Sequence, residues 1–205
     1  MGNSKQNFRP FRWLSHAALL CTLCLVLSQR ALGSSVVLGW NPSTDPTVVG
    51  YFLYIGTASG GYSVKLDVGN YSGTTVSNLL QGRTYYFAST AYDVSGYESP
   101  FSSPEVSAAI LDTSPPAVTI TSPPNGATLK RTSSLIIAAT AMDNVDVTRV
   151  NFYINRKLAC SDATTPYTCK WRLPGSPGRT YQFQVTAHDA AGNAGASGIV
   201  TVTAR

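Results

Sequence analysis

The sequence predicts an all-β protein in which two β-sandwiches follow one another behind a leader, and three observations support this. The stretch Gly82-Arg83-Thr84-Tyr85-Tyr86-Phe87-Ala88-Ser89-Thr90-Ala91-Tyr92-Asp93-Val94-Ser95-Gly96 returns at 178–192 with nine of its fifteen positions identical. The offset between Gly82 and Gly178 is 96 residues, the size of a whole sandwich and not of a short solenoid repeat. Within each copy the apolar side chains alternate: Tyr85, Phe87 and Ala91 on one face, and Tyr181, Phe183, Val185 and Ala187 on the matching face of the second. Period two is the signature of a half-buried strand. Finally, Gly, Pro, Ser and Thr are abundant, and no segment sustains a 3.6-residue period over three turns, which argues against helices.

Residues 1–33 read as a signal peptide. Lys5, Arg9 and Arg12 precede the apolar run 17–27, and Ala31-Leu32-Gly33 places small residues where a signal peptidase reads them, so cleavage is expected after Gly33. The run is about half of the ~20 residues a spanning helix needs, so no membrane span is expected after cleavage. Leu20 and Leu23 stand before Cys21 and Cys24, where a lipoprotein would carry a small residue, which disfavours lipidation. The expected destination is secreted, periplasmic or cell-surface. The leader takes four of the 15 Lys and Arg and none of the ten Asp and Glu, leaving a net charge near +1. Residues 34–113 are acidic and 114–205 basic. Export makes nucleic acid an unexpected partner.

The first domain is expected over 34–111. A strand at 36–40 ends on Trp40, a natural core residue, and the turn through Asn41-Pro42-Ser43-Thr44-Asp45-Pro46 follows. Further strands are expected at 48–55, 62–68 and 74–79, then in the repeated stretch, then at 101–110. The pattern Val36-x-Leu38-x-Trp40, Gly50-Tyr51-x-Leu53-x-Ile55 and Leu79-x-x-Gly82-x-x-Tyr85-x-Phe87-x-x-x-Ala91 resembles a fibronectin type III domain over 36–110. The resemblance implies that Trp40 packs in the core and that the Tyr85 hydroxyl bonds back to the chain near 79–82. Cleavage after Gly33 would leave little to form the first strand of such a domain. The bare edge is then either tolerated or filled by a partner's strand.

Residues 112–116 are expected to be a linker stiffened by Pro115 and Pro116, and 117–205 the second domain. Its opening at 117–126, the run 135–141, the loop Met142-Asp143-Asn144-Val145-Asp146-Val147-Thr148 and the strand 149–155 lead to Asp189-x-Ala191-Gly192-Asn193. This pattern resembles the bacterial immunoglobulin-like domains of modular secreted proteins over 115–204, making the whole two tandem immunoglobulin-like sandwiches. In such a sandwich the chain enters at the end that carries the loops after the second and sixth strands. The resemblance therefore implies that Asp112, Asp143, Asn144, Asp146, Asp189 and Asn193 converge. Hard oxygen donors of this kind suit Ca2+, which would stiffen the joint between domains in the manner cadherins use. The competing reading is that each Asp and Asn merely caps its own turn.

Cys160 and Cys169 flank a turn-like segment with Pro166; in an exported chain they are expected to form a disulfide bracketing a hairpin. Catalysis has little material to use. His188 is the one His beyond the leader, and it falls outward at a strand end; Glu98 and Glu105 are the two Glu; no nucleophile elbow or His-Glu-x-x-His occurs. No enzyme activity and no cofactor other than Ca2+ are expected. Phe52 and Tyr54, with Tyr86 and Tyr92 on the repeated strand, fall out of phase with the core and form a candidate aromatic stripe, for stacking on sugar rings or docking a protein, or for stabilising the sheet alone. Arg149, Arg156, Lys157, Lys170 and Arg172 form a candidate basic patch for an acidic glycan or the acidic domain of a second copy. The expectation is a secreted, non-catalytic binding or adhesion protein whose partner is an extracellular or cell-surface protein or polysaccharide. The alternatives are a carbohydrate-binding accessory and a structural spacer or surface-assembly subunit; with the chain ending at Arg205, just after its last strand, a spacer has nothing to hold apart.

Overall fold

The computed structural model describes residues 34–174 and 176–205. The expected signal peptide, with Cys21 and Cys24, lies outside the described residues. The regular elements among those described are all β-strands, and the chain divides into two compact units between Ile110 and Leu111. No helix among the described residues is long and apolar enough to cross a membrane.

The first unit contains β1 (Ser34–Gly39), β2 (Val48–Ala58), β3 (Gly61–Gly69), β4 (Gly73–Leu79), β5 (Arg83–Asp93) and β6 (Val106–Ile110). β1 and β4 pair antiparallel as a small sheet, and the larger sheet runs β3-β2-β5-β6. The two inner faces meet over Val36, Leu38, Tyr51, Leu53, Phe87 and Ile110, with Trp40 packed edge-on against Tyr51 at 5.8 Å. Burying side chains of this size contributes roughly 1.5–3 kcal/mol each. Tyr85 behaves as its pattern implies: the Leu80 N–H donates to its hydroxyl at 3.0 Å.

Two expectations for this unit need correction. The strand expected at 101–110 begins only at Val106, because Pro104 lacks the N–H that a ladder requires. Strict alternation also fails on β5, where 87–91 are buried on both faces. β5 is the inner strand between β2 and β6, and an outer layer of aromatic side chains covers its second face.

The second unit contains β7 (Ala117–Ser122), β8 (Thr128–Leu129), β9 (Ser134–Met142), β10 (Arg149–Ile154), β11 (Lys157–Asp162), β12 (Tyr167–Arg172), β13 (Thr180–His188), β14 (Ala194–Ala196) and β15 (Val200–Ala204). One sheet runs β11-β10-β13-β15-β8 with β14 also on β13, and the other β12-β9-β7. Val150, Phe152, Phe183, Val185, Ile137 and Leu173 fill the space between them. Pro116 belongs to this unit: it is buried, and a Cβ added to Gly195 would lie 1.7 Å from its carbonyl oxygen, so only glycine admits this close approach.

Cys160 and Cys169 are bonded, but they do not bracket a hairpin within one sheet. β11 belongs to the first of these sheets and β12 to the second. The chain crosses over at 163–166, and the disulfide ties the two layers together.

Candidate functional site

Two places bring chemistry-bearing side chains together. The first is the outer face of the β3-β2-β5-β6 sheet. Pairing sets Phe52 opposite Thr90, Tyr54 opposite Ala88, Gly56 opposite Tyr86 and Gly50 opposite Tyr92. The Tyr92 ring leans across Gly50, where a Cβ would come within 2.3 Å of it, and lies 4.5 Å from the Phe52 ring. The four residues of the expected stripe therefore do share one face, and each is half-buried.

Three members of this layer escaped the sequence reading. Phe101 stands edge-on to Tyr54 at 4.8 Å and lies 5.2 Å from Tyr62, yet remains 52 % exposed. The Lys65 ammonium sits 3.9 Å above the Phe52 ring, a cation–π contact. Lys65 follows the outward phase of β3, opposite Tyr54, and could have been found by extending the same argument to that strand, whereas Tyr62 shares the phase of Val64 and Leu66 and joins the outer layer past the register shift between Ile55 and Gly56. Phe101 lies in a loop, where no period exists to reveal it.

Two carboxylates pin this aromatic layer. Glu98 accepts from the Tyr54 hydroxyl at 2.6 Å, from Thr90 Oγ1 at 2.9 Å and from Lys65. Burial pushes its pKa up, but the bonds from Lys65, Tyr54 and Thr90 outweigh this and hold it below the usual 4.5. Glu105 accepts from Ser59 Oγ at 2.6 Å, the Gly60 N–H at 2.9 Å and the Tyr62 hydroxyl at 2.5 Å. The bonds from Ser59, Tyr62 and Gly60 lower its pKa in turn. Burial, together with the hydrogen bond and charge of Glu105, pushes the Tyr62 phenol up to about 12.

The second place is one end of the Leu111–Arg205 unit. Asp112 before β7, Asp143 after β9 and Asp189 after β13 each present one carboxylate oxygen, and the three lie within 4.8 Å of one another. Asp112 Oδ1 accepts from the Ser114 N–H and from Asn144 Nδ2, both at 3.1 Å. Asp189 is only 6 % exposed; its Oδ1 accepts from the Asn193 N–H at 2.8 Å and its Oδ2 from Asn193 Nδ2 at 2.7 Å. Burial pushes its pKa up, and the Asn193 side-chain and backbone bonds more than reverse this, holding it below the ordinary value. Asp143 Oδ2 accepts from the Val145 and Asp146 N–H groups at 2.9 and 3.2 Å. Its Oδ1 exposes less than 1 Å² and has no hydrogen-bond partner among the described residues. Five of the six expected ligand residues thus meet. Asp146 contributes its backbone N–H, and its exposed carboxylate is not one of the three brought together.

The basic residues do not form a single patch. Arg149 starts β10, while Arg156 and Lys157 lie beyond its far end, about 20 Å away at strand rise. Lys170 and Arg172 are on β12, in the other sheet, opposite Ile136 and Ser134. His188, expected outward at a strand end, is half-buried, with its Nε2 3.3 Å from both Asn151 Nδ2 and Thr186 Oγ1.

Comparison with known proteins bears on both units. Residues 116–204 match the bacterial Ig domain family. The second unit is a bacterial Ig domain. The first has the Tyr85 corner and the core Trp40 that its resemblance to a fibronectin type III domain implies. Chitinase A1 of Niallia circulans is 35 % identical over 175 residues, 83 % of this chain and 24 % of the relative, so the chain spans about a quarter of that protein's length. The fibronectin(III)-like modules of Clostridium thermocellum CbhA align at 31 % identity, covering 43 % of this chain and 94 % of theirs with a TM-score of 0.39. The FN1-FN3 domains of chicken CNTN1 align at 16 % identity over 86 % of this chain and 64 % of theirs, with a TM-score of 0.42. The unit that matches the bacterial Ig domain family holds the carboxylate cluster, and the first unit holds the aromatic face.

Proposed function

We propose that this is an exported, non-catalytic binding protein whose fibronectin type III module docks polysaccharide on its aromatic face. The observation that carries the reading is Phe101, a half-exposed ring held edge-on by Tyr54 and close to Tyr62, which are in turn pinned by Glu98 and Glu105. A rigid ring beside fixed acceptors suits a sugar, whose C–H face stacks on the aromatic while its hydroxyls donate to carboxylate oxygens. Similarity to a protein named as a chitinase favours a polysaccharide over a protein as the ligand. The non-catalytic part rests on the same carboxylates. Glycoside cleavage needs one acid with a raised pKa, and the hydrogen bonds to Glu98 and Glu105 shift both carboxyls the other way.

Retention of the chain on insoluble chitin, cellulose and xylan tests this. Phe101→Ala and Tyr54→Ala, checked for folding by circular dichroism, are expected to weaken retention on the bound polysaccharide about 5- to 10-fold, the size of one aromatic contact. Tyr71→Ala, a 73 % exposed tyrosine on the β3–β4 turn, is expected to change nothing. Equal retention of wild type and Phe101→Ala, or none by any of them, overturns the reading.

A further inference from the structure

We infer that the bacterial Ig domain binds one Ca2+ ion through Asp112, Asp143 and Asp189, independently of the polysaccharide reading. Two observations converge. Three carboxylates from three separate segments lie within 4.8 Å of one another, and no ion pair to Lys, Arg or His offsets any of them among the described residues. Carboxylates this close repel, and burial of Asp189 sharpens the repulsion.

The second observation is Asp143 Oδ1. Its Oδ2 is used by two backbone N–H groups, while Oδ1 has neither solvent nor a donor. A charged oxygen stripped of water and given no partner is costly, and turn capping accounts for Oδ2 but leaves Oδ1 unexplained. A cation supplies the missing partner. Three oxygens spread evenly around one Ca2+ at about 2.4 Å stand about 4.2 Å apart, so a cluster whose members all lie within 4.8 Å of one another needs shifts of only roughly a few tenths of an ångström to share one ion. The donors are all hard oxygens, which suits Ca2+ and not Zn2+. Asn144 and Asn193 already touch the cluster, and turning either amide over presents its oxygen instead. The ion would tie the segment entering β7 to the ends of β9 and β13.

The test is isothermal titration and scanning calorimetry of the chelator-stripped chain. Wild type is expected to bind one Ca2+ with Kd of about 10⁻⁴ M, and 10 mM CaCl2 to raise the unfolding temperature of this unit by roughly 10 °C or more. An equal concentration of MgCl2 should give a much smaller shift. Asp143→Asn keeps an oxygen for the Val145 and Asp146 N–H groups, so it is expected to fold and to bind Ca2+ at least tenfold more weakly. In EGTA the same variant should be no less stable than wild type, since it removes one of the three opposed charges. Asp112→Asn provides a second variant with the same expectation. No heat and no thermal shift in wild type, or an unchanged Kd in both variants, overturns the inference.

Discussion

Tyr62 concentrates what single side chains decide in the first module. Its phenol must stay protonated to donate to Glu105, and the bond together with burial moves its pKa from the ordinary 10.0 to about 12. A raised pKa in the folded state means the contribution is complete below pH 10 and is lost as pH climbs through 12. Subtracting the 295 nm titration of Tyr62→Phe from that of wild type should leave one phenol with a midpoint near 12, and a midpoint near 10 would show the bond to Glu105 to be immaterial. At this scale much was legible beforehand. Trp40 and Tyr85 occupy the places that the resemblance to a fibronectin type III domain implies, and the structure puts Trp40 in the core and the Leu80 N–H on the Tyr85 hydroxyl. Phe101 was not legible as a partner of Tyr54, because a loop side chain has no phase and its neighbours are set by where the loop folds back.

Elements meet by register, and in the second unit β14 comes close against the segment leading into β7 at Gly195. Gly195→Ala would place a methyl 1.7 Å from the Pro116 carbonyl oxygen, a backbone atom that cannot rotate away. Strain of this kind costs about 1–3 kcal/mol. Chemical denaturation of the variant should show a midpoint shift of that size, while Gly198→Ala, with open space around it, should shift little. The cysteines make the same point about elements. Their pairing follows from residue type and export, but the crossing from β11 in one sheet to β12 in the other does not. Nothing in the sequence at 163–166 distinguishes a hairpin turn from a passage between layers.

Across the whole chain, each unit closes its own apolar core, one around Phe87 and one around Phe152 and Phe183. Separate cores unfold separately unless something couples them. Calorimetry should therefore resolve two transitions. Replacing both Cys160 and Cys169 with Ser opens a link of sequence separation 9, worth roughly 2–3 kcal/mol by loop entropy. Only one of the two transitions should fall, by about 10 °C. A single transition, or equal shifts in both, would contradict independent cores.

Taken alone, the sequence determined that the chain builds two β-sandwiches, which residues point inward, and which oxygen donors gather at one end of the second. The first two follow from alternation and the internal repeat, and the gathering of the donors from the resemblance to bacterial immunoglobulin-like domains. Tertiary structure alone decided that Phe101 completes the aromatic face, that Glu98 and Glu105 hold it, that Asp146 falls outside the carboxylate cluster, and that Arg149 is parted from Arg156 and Lys170. Those outcomes depend on strand register and on how loops return over a sheet. The energy that selects them comes from contacts between residues tens of positions apart, which leave no local periodic trace.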